Sequence, residues 1–226
     1  MDLDRALRTT GAVRQFSDEP VDDATVTAIL DTARFAPSGG NRQPWKVAVV
    51  RDLALRRRLA DLQQPQWDAY MAARAAGQSP FNPVDYEPVA DPPHAPNPLL
   101  DHYGGPGPVV LAVAVDLRLL AVMDAELERT SVVGGASIYP FCWSILLAAH
   151  DRGLGGVLTT FLSRSEPEAG PLLGLPEHHA LAATIVLGHP STARPTKLTR
   201  EPVGSFTTVD RFDGEPLTGE PAEPSA

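Results

Sequence analysis

The chain has 226 residues, of which 43% are hydrophobic, and it carries a formal net charge of -9. That length and composition suit one globular domain with a buried core. The acidic balance argues against a nucleic-acid partner, because binding to phosphates needs a basic surface. No apolar run is long enough to span a membrane and the first ten residues lack a signal peptide, so we expect a cytoplasmic protein with no membrane partner.

A helix is predicted between Asp22 and Ala36. Either Asp22 or Asp23 can cap its first turn. The helix must end before Pro37, which disfavours helical geometry in the residue that precedes it. Its apolar residues recur with the spacing of one buried helix face: Val26, Ile29, Leu30 and Ala33.

The next stretch of chain changes character at Gln64. A β-rich run over residues 45–50 is followed by an amphipathic helix that begins at Asp52. Beyond Gln64 the composition turns to Pro, Ala, Gly and aromatic residues, and over residues 80–108 prolines are too frequent for regular structure. We expect residues 64–107 to form a surface excursion, either a lid over a binding site or a disordered insertion.

The second half alternates strands and helices irregularly. Strands are predicted at residues 109–115 and 180–187. Helices are predicted at residues 117–129 and 137–152. A further short helix is predicted after Ser165, because Ser165 and Glu168 are spaced as a capping box. This order indicates an α+β fold rather than a doubly wound sheet. We expect one domain over residues 1–212 and an unstructured tail over residues 213–226.

The usual metal-binding and nucleophilic patterns are not present in the sequence. Cys142 is the single cysteine and lies in an apolar, aromatic stretch, where it is expected to be a small core residue. The six histidines lack the spacing of metal ligands on one helix face. We therefore expect no metal and no covalent catalysis.

One segment, residues 36–45, allows two interpretations. It reads Ala-Pro-Ser-Gly-Gly-Asn-Arg-Gln-Pro-Trp, so a helix ends in a proline and two glycines. The backbone could approach a flat ligand closely there, while Ser38, Asn41 and Gln43 offer hydrogen-bonding groups to its edge. The same residues also suit an ordinary helix-to-strand turn, in which Asn41 and Gln43 bond their own backbone.

Five segments, taken in order, resemble the nitroreductase-like flavoprotein family in its actinobacterial-type branch. They are TTGAVRQF at residues 9–16, PSGGNRQPW at 37–45, GGASIYP at 134–140, GLGGVLTT at 153–160 and LGHP at 187–190. The resemblance runs from about Leu3 to about Phe212 and weakens over residues 64–107. It implies a nitroreductase-like fold, with a central, mostly antiparallel sheet flanked by helices, in an intertwined homodimer.

The resemblance also implies flavin mononucleotide (FMN) in a cleft at the dimer interface. Arg14 and Arg200 match the arginines that hold its phosphate, and a guanidinium binds a phosphate dianion through two parallel bonds. The resemblance implies three further groups of cofactor-binding residues. Gly11 and Ala12 lie beside Arg14, and Leu158, Thr159 and Thr160 lie at the reactive edge of the ring. A third group reaches the cofactor of the other protomer: Ser38, Gly39, Asn41 and Gln43. No side chain is expected to be catalytic, because the flavin N5 carries the chemistry.

Three departures from the family pattern affect the expected site. Gly11 stands where this branch usually has an arginine, so phosphate affinity is lower or Arg8 or Lys197 substitutes. Residues 141–144 replace a run that usually ends in Gln-Asn. Residues 64–107 would shape the substrate pocket. Their aromatic rings could stack on a planar guest over the flavin, or they could pack elsewhere on the surface. These aromatic residues are Trp67, Tyr70, Phe81, Tyr86 and Tyr103.

The expected function is that of an FMN-dependent oxidoreductase. Electrons would pass from NADH or NADPH through the flavin to a small organic acceptor such as a nitroaromatic or a quinone. One alternative is a biosynthetic dehydrogenase or oxidase that takes hydride from its substrate and passes it to oxygen. Another is a flavin-binding protein with little turnover, for which the glycine at position 11 is the sequence hint.

Overall fold

A four-stranded antiparallel sheet forms the centre of the fold in the computed structural model, which describes residues 1–193 and 198–219. Its strands lie in the order β1-β2-β4-β3. The bounds are β1 (Trp45–Val50), β2 (Val109–Asp116), β3 (Gly155–Thr159) and β4 (His179–Gly188). Each pair of neighbours is antiparallel, which confirms the expected α+β architecture with a mostly antiparallel sheet.

Helices cover both faces of the sheet. They are α1 (Leu3–Thr9), α2 (Asp23–Ala33), α3 (Leu53–Ala75), α4 (Pro98–Asp101), α5 (Tyr139–Asp151), α6 (Phe161–Arg164) and α7 (Glu166–Leu173). Because side chains alternate along a strand, Leu111 and Val113 pack with α2 and α5, whereas Val110 and Ala112 pack with α3 and α4. Strand β2 is therefore buried on both faces, which explains its continuous apolar sequence.

Helix α2 forms where the sequence predicts it. Asp22 is the N-cap, and its Oδ1 accepts a hydrogen bond from the backbone N–H of Thr25 at 2.7 Å. Ile29 and Ala33 are fully buried, on the face predicted from their spacing. The helix predicted over residues 137–152 corresponds to α5, which begins with a proline in its first turn.

Helix α3 is longer than the sequence suggests. It continues through Pro65 to Ala75, into the stretch for which a lid or a disordered insertion was expected. A proline inside a helix removes one backbone hydrogen bond and costs stability. Packing offsets that cost, because the rings of Trp67 and Tyr70 meet the ring of Phe161 edge-on, with centroids 5.9 and 5.6 Å apart.

The chain that returns from α3 to the sheet is tied to that helix. Asp68 Oδ1 accepts from the backbone N–H of Ala95 at 2.8 Å, and Trp67 Nε1 donates to the Pro96 carbonyl at 3.1 Å. Further along, Tyr103 is fully buried beneath α3, and this burial raises the pKa of its hydroxyl to about 12. Tyr103 therefore cannot stack on a ligand, unlike the expectation from its sequence position.

Two further local predictions need correction. The helix predicted over residues 117–129 is absent from this described stretch, apart from a single 3-10 turn at Leu117–Leu119. Instead, the buried Asp124 accepts hydrogen bonds from Ser131 Oγ and from the Val132 N–H, which stabilises a loop. Ser165 does begin α7, but its hydroxyl donates to the Leu62 carbonyl at 2.9 Å instead of capping the helix.

The end of the described chain forms a short bridged turn. Thr208 pairs with Pro216 in an isolated antiparallel bridge, so part of the predicted tail is placed against residues before it. The rest of that predicted tail, residues 220–226, lies outside the described residues. Among the helices that the structure describes, none combines the length and apolar character needed to cross a bilayer.

Candidate functional site

Two adjoining cavities meet at Arg14 and Leu158, which line both. The larger has a volume of about 800 Å³ and is called here the aromatic cavity; the smaller, of about 560 Å³, is called the arginine cavity. Both volumes are in the range of small-molecule sites. Seven of the residues implied by the family resemblance line one or both: Gly11, Ala12, Arg14, Leu158, Thr159, Thr160 and Arg200.

The N-terminal segment reaches this site by running beside β3. Ala12 and Gly156 form a parallel bridge, and the Val13 N–H donates to the Gly156 carbonyl at 2.9 Å. A Cβ atom on Gly155 would lie 2.7 Å from Val13 Cβ, so only glycine permits this close approach. The glycines that precede Val157 thereby place Arg14 beside the end of β3.

The charges of the site fit an anionic cofactor. Arg14 and Arg200 both line the arginine cavity, and neither forms an ion pair among the residues that the structure describes. Among the described residues, Arg200 donates to the carbonyl of its neighbour Thr199, at 2.7 Å. None of the described residues that line the two cavities is acidic. Two unpaired guanidinium groups suit the phosphate dianion of FMN.

Of the two residues expected to compensate for Gly11, Arg8 and Lys197, the structure describes only Arg8. Gly11 itself lines the arginine cavity. The guanidinium of Arg8 lies 2.8 Å from the Asp4 carboxylate, its i,i+4 neighbour on α1, so its charge is already paired. Lys197 lies outside the described residues.

The second set of predicted cofactor residues lies apart from both cavities within one chain. Ser38, Gly39, Asn41 and Gln43 line neither of them. Gly39, Asn41 and Gln43 are exposed, and Ser38 is half-buried. The structure of a single chain therefore brings seven of the eleven predicted residues to the two cavities and leaves the remaining four outside them.

The turn that carries these four residues has an unusual backbone. Gly40, Asn41 and Gln43 all have positive φ, at 60°, 52° and 49°. Side-chain bonds within the turn support it: Ser38 Oγ accepts from the Gln43 N–H at 2.9 Å, and Gln43 Nε2 donates to Asn41 Oδ1 at 3.2 Å. These are the bonds expected of an ordinary turn, but left-handed geometry at Asn41 and Gln43 is strain that clusters at functional sites.

Neighbouring elements position this turn. Ser137 Oγ, at the end of a 3-10 helix (Val133–Ser137), accepts from the Gly39 N–H at 3.0 Å. Trp45, which follows the turn, stacks on Phe141 of α5 with ring centroids 4.6 Å apart and planes 2° apart. Phe141 belongs to the run that departs from the family pattern, and the structure uses it in the core. Trp143, two residues later, lines the arginine cavity.

Cys142 lies between these two residues and is fully buried. Burial raises the pKa of its thiol to about 12, so the thiol stays protonated at neutral pH and is a poor nucleophile. No group of three His, Cys, Asp or Glu residues with metal-binding geometry occurs within residues 1–193 and 198–219.

The aromatic cavity contains residues that the sequence analysis did not assign to the site. Phe161, Arg74 and Arg164 line it together with Trp67 and Tyr70. Trp67, Tyr70 and Arg74 have i, i+3 and i+7 spacing, which places them on one face of a helix. That spacing is visible in the sequence and could have indicated a helix face that lines the site.

Comparison with known proteins gives consistent matches over most of the chain. Residues 7–189 match a family model described as the nitroreductase family. The chain is 28% identical over 192 residues to an NADH dehydrogenase of Thermus thermophilus, covering 84% of this chain and 88% of that protein. It is 28% identical over 226 residues to a nitrobenzene nitroreductase of Ectopseudomonas oleovorans, covering 91% of this chain and 96% of that protein.

The fold also matches a solved structure, that of the NADPH:FMN oxidoreductase from Vibrio harveyi complexed with NAD+. The TM-score is 0.64 at 20% sequence identity, and the match covers 91% of this chain and 76% of that one. At this level of identity the similarity shows a shared fold.

Proposed function

The chain belongs to the nitroreductase family, and from that premise we propose that it is an FMN-dependent oxidoreductase. It takes electrons from NADH or NADPH and passes them to a small organic acceptor. When bound, FMN supplies the two-electron chemistry that no side chain of the protein can perform. The relatives named as an NADH dehydrogenase and a nitrobenzene nitroreductase support this assignment.

The observation that carries the proposal is the charge pattern of the adjoining cavities. Arg14 and Arg200 hold the phosphate of FMN in the arginine cavity, since they have no carboxylate partner among the described residues. Residues 158–160 line the aromatic cavity next to Arg14, where the ring system would lie. The protein binds and orients the cofactor there and keeps one apolar face for the acceptor.

A second copy of the chain completes the site in this proposal. Tyr139 and Trp143 on α5 are 44% and 38% exposed, although both are large and both line the arginine cavity. A partner chain that covers them would remove this apolar surface from water and close the cavity. The Ser38–Gln43 turn of that partner would then reach the flavin, which accounts for its strained and exposed backbone.

The remaining assignments follow from the same proposal. Residues 1–212 form the FMN-binding domain, in which residues 64–107 contribute a wall of the aromatic cavity through Trp67, Tyr70, Arg74 and Phe81. Reduced nicotinamide nucleotides are available in the cytoplasm, where we place the protein.

The visible spectrum of the purified protein tests the proposal. A flavin spectrum that bleaches when NADH or NADPH is added without oxygen, and returns when a quinone or nitroaromatic is added, is the expected result. A flavin spectrum that neither nucleotide bleaches would indicate a binding protein with little turnover. Oxygen consumption with an organic substrate but no nicotinamide would instead identify a dehydrogenase or oxidase.

A further inference from the structure

The aromatic cavity carries more positive charge than the phosphate of FMN requires. Arg74 and Arg164 line it together with Arg14, whereas the arginine cavity, where the phosphate is assigned, includes Arg14 but neither of the other two. Neither Arg74 nor Arg164 forms an ion pair among the described residues, and no acidic residue among them lines the cavity. The chain has a net charge of -9, so two further arginines at one cavity indicate that it binds a second anionic group besides the phosphate.

Flat rings form the walls beside these arginines. Trp67 stacks on Tyr70, with centroids 5.7 Å apart and planes 11° apart. Phe161 meets both of them edge-on, and the Tyr70 and Phe81 rings are 6.4 Å apart. Rings in these orientations leave faces and edges that bind another planar molecule. The cavity is therefore suited to an aromatic guest.

One of the arginines contacts this ring cluster directly. The Cζ atom of Arg164 is 4.8 Å from the centroid of the Phe81 ring, a cation-π contact that holds the guanidinium at the cavity wall. Arg74 lies one turn beyond Tyr70 on the same face of α3. Both guanidinium groups therefore line the same cavity as the rings on which a guest would stack.

We infer that the aromatic cavity selects a planar aromatic acceptor that carries a carboxylate, with Arg74 and Arg164 as the residues that bind the carboxylate. The inference deepens the proposed function and rests on it, because the acceptor must lie beside the flavin. A guanidinium binds a carboxylate through two parallel hydrogen bonds, which fixes the orientation of the attached ring.

A nicotinamide dinucleotide is a weaker match to this arrangement. Its nearest phosphate is separated from the nicotinamide ring by a ribose, whereas Arg164 lies directly on a ring of the cluster. In an aromatic carboxylate the anion is attached to the ring itself. The small acceptor therefore fits the spacing between rings and arginines better than the electron donor does.

A matched pair of acceptors tests the inference on the FMN-loaded enzyme. Nitrobenzene and 4-nitrobenzoate differ only in the carboxylate, so the ratio of their kcat/KM values isolates its recognition. We expect the wild type to prefer 4-nitrobenzoate. Arg164→Gln and Arg74→Gln should each lower the ratio of kcat/KM for 4-nitrobenzoate to kcat/KM for nitrobenzene by about tenfold or more.

Binding of benzoate gives a readout that does not depend on turnover. Calorimetric titration of the purified protein with benzoate should show a Kd that rises about tenfold in either variant. Arg58→Gln is the matched control, because Arg58 is also an exposed arginine of α3 but does not line the cavity. It should leave both the benzoate Kd and the acceptor ratio unchanged.

Several outcomes would overturn the inference. It fails if the wild type does not prefer 4-nitrobenzoate, if both acceptors lose activity together in the variants, or if benzoate binds them as it binds the wild type. If the variants instead slow only the reduction of the flavin by NADPH, and not its reduction by NADH, the arginines bind the electron donor. If the wild type reduces nitrobenzene and 4-nitrobenzoate with equal kcat/KM, this inference alone is refuted. If it reduces neither acceptor, the proposed function is refuted.

Discussion

Arg14 and Arg200 are the residues on which the proposed cofactor site depends most directly. Replacing either by alanine should weaken FMN binding by roughly ten- to a hundredfold, because a charge-assisted bond to phosphate contributes about 1.5 to 3 kcal/mol. Both side chains are exposed, so the fold should survive the change. The flavin-to-protein ratio after purification, and the Kd for FMN added back to the apoprotein, measure the effect.

Two further variants separate charge from geometry at this position. Arg14→Lys keeps the positive charge but loses the planar fork, so its FMN affinity should lie between those of the wild type and Arg14→Ala. Arg58→Ala removes an exposed arginine of α3 that lines neither cavity and should retain full flavin. If Arg14→Ala and Arg200→Ala both purify with full flavin, the phosphate assignment is wrong.

Among the structural elements, the loop around Asp124 supports the predicted flavin-binding turn from a distance. Asp124 fixes residues 129–132, which lead into the 3-10 helix whose Ser137 bonds Gly39. Hydrogen bonds from the Val132 N–H first, then from Ser131 and Arg129, hold the pKa of Asp124 well below its ordinary value. The carboxylate form is therefore the one that stabilises this loop.

The lowered pKa of Asp124 fixes the sign of a pH effect. Its stabilisation is present above the unfolded-state pKa of about 3.9 and is lost as the pH falls through the lower folded-state pKa. Asp124→Asn should therefore lower the free energy of unfolding at pH 7, and the gap from wild type should narrow as the pH falls from about 5 to about 3. Urea unfolding at several pH values measures that gap.

The control is Asp61→Asn, which changes an exposed carboxylate of α3 for which the described residues provide no hydrogen bond or ion pair. Its unfolding free energy should stay close to the wild-type value at every pH. A gap between Asp124→Asn and wild type that is the same at pH 7 and at about pH 3 would show that the ionised carboxylate is not what stabilises the loop.

For the whole molecule, the expected state is a homodimer. An interface that completes a cofactor site should be obligate, of order 2,000 Å² or more, so the protein should sediment as a dimer at micromolar concentration.

Trp143→Glu would place a charge on the exposed apolar surface of α5 and should both shift the protein towards monomer and reduce its flavin content. Leu172→Glu, at a similarly exposed leucine of α7, is the control and should remain dimeric. A wild-type monomer that retains flavin would contradict the two-chain site.

Much of the fold follows from local signals in the sequence. The cap at Asp22, the spacing of Ile29 and Ala33, and the continuous apolar run of β2 each depend on residues close together in the chain, so α2 and the central strand could be predicted. The family resemblance also predicted the fold, and five of the residues that it implied line the arginine cavity: Gly11, Ala12, Arg14, Leu158 and Arg200. Both kinds of signal are properties of sequence alone.

Contacts between distant parts of the chain decided the rest. Helix α3 continues past Pro65 because Trp67 and Tyr70 pack on Phe161, more than ninety residues later, and no local pattern could announce that contact. Asp124 forms a loop where charge patterning favoured a helix, because its buried carboxylate bonds residues further along the chain. The sequence alone therefore determined which residues favour which element and which family the chain resembles. Only the tertiary structure placed Arg74 and Arg164 beside the aromatic rings, since side chains on α3 and α6 meet only after folding.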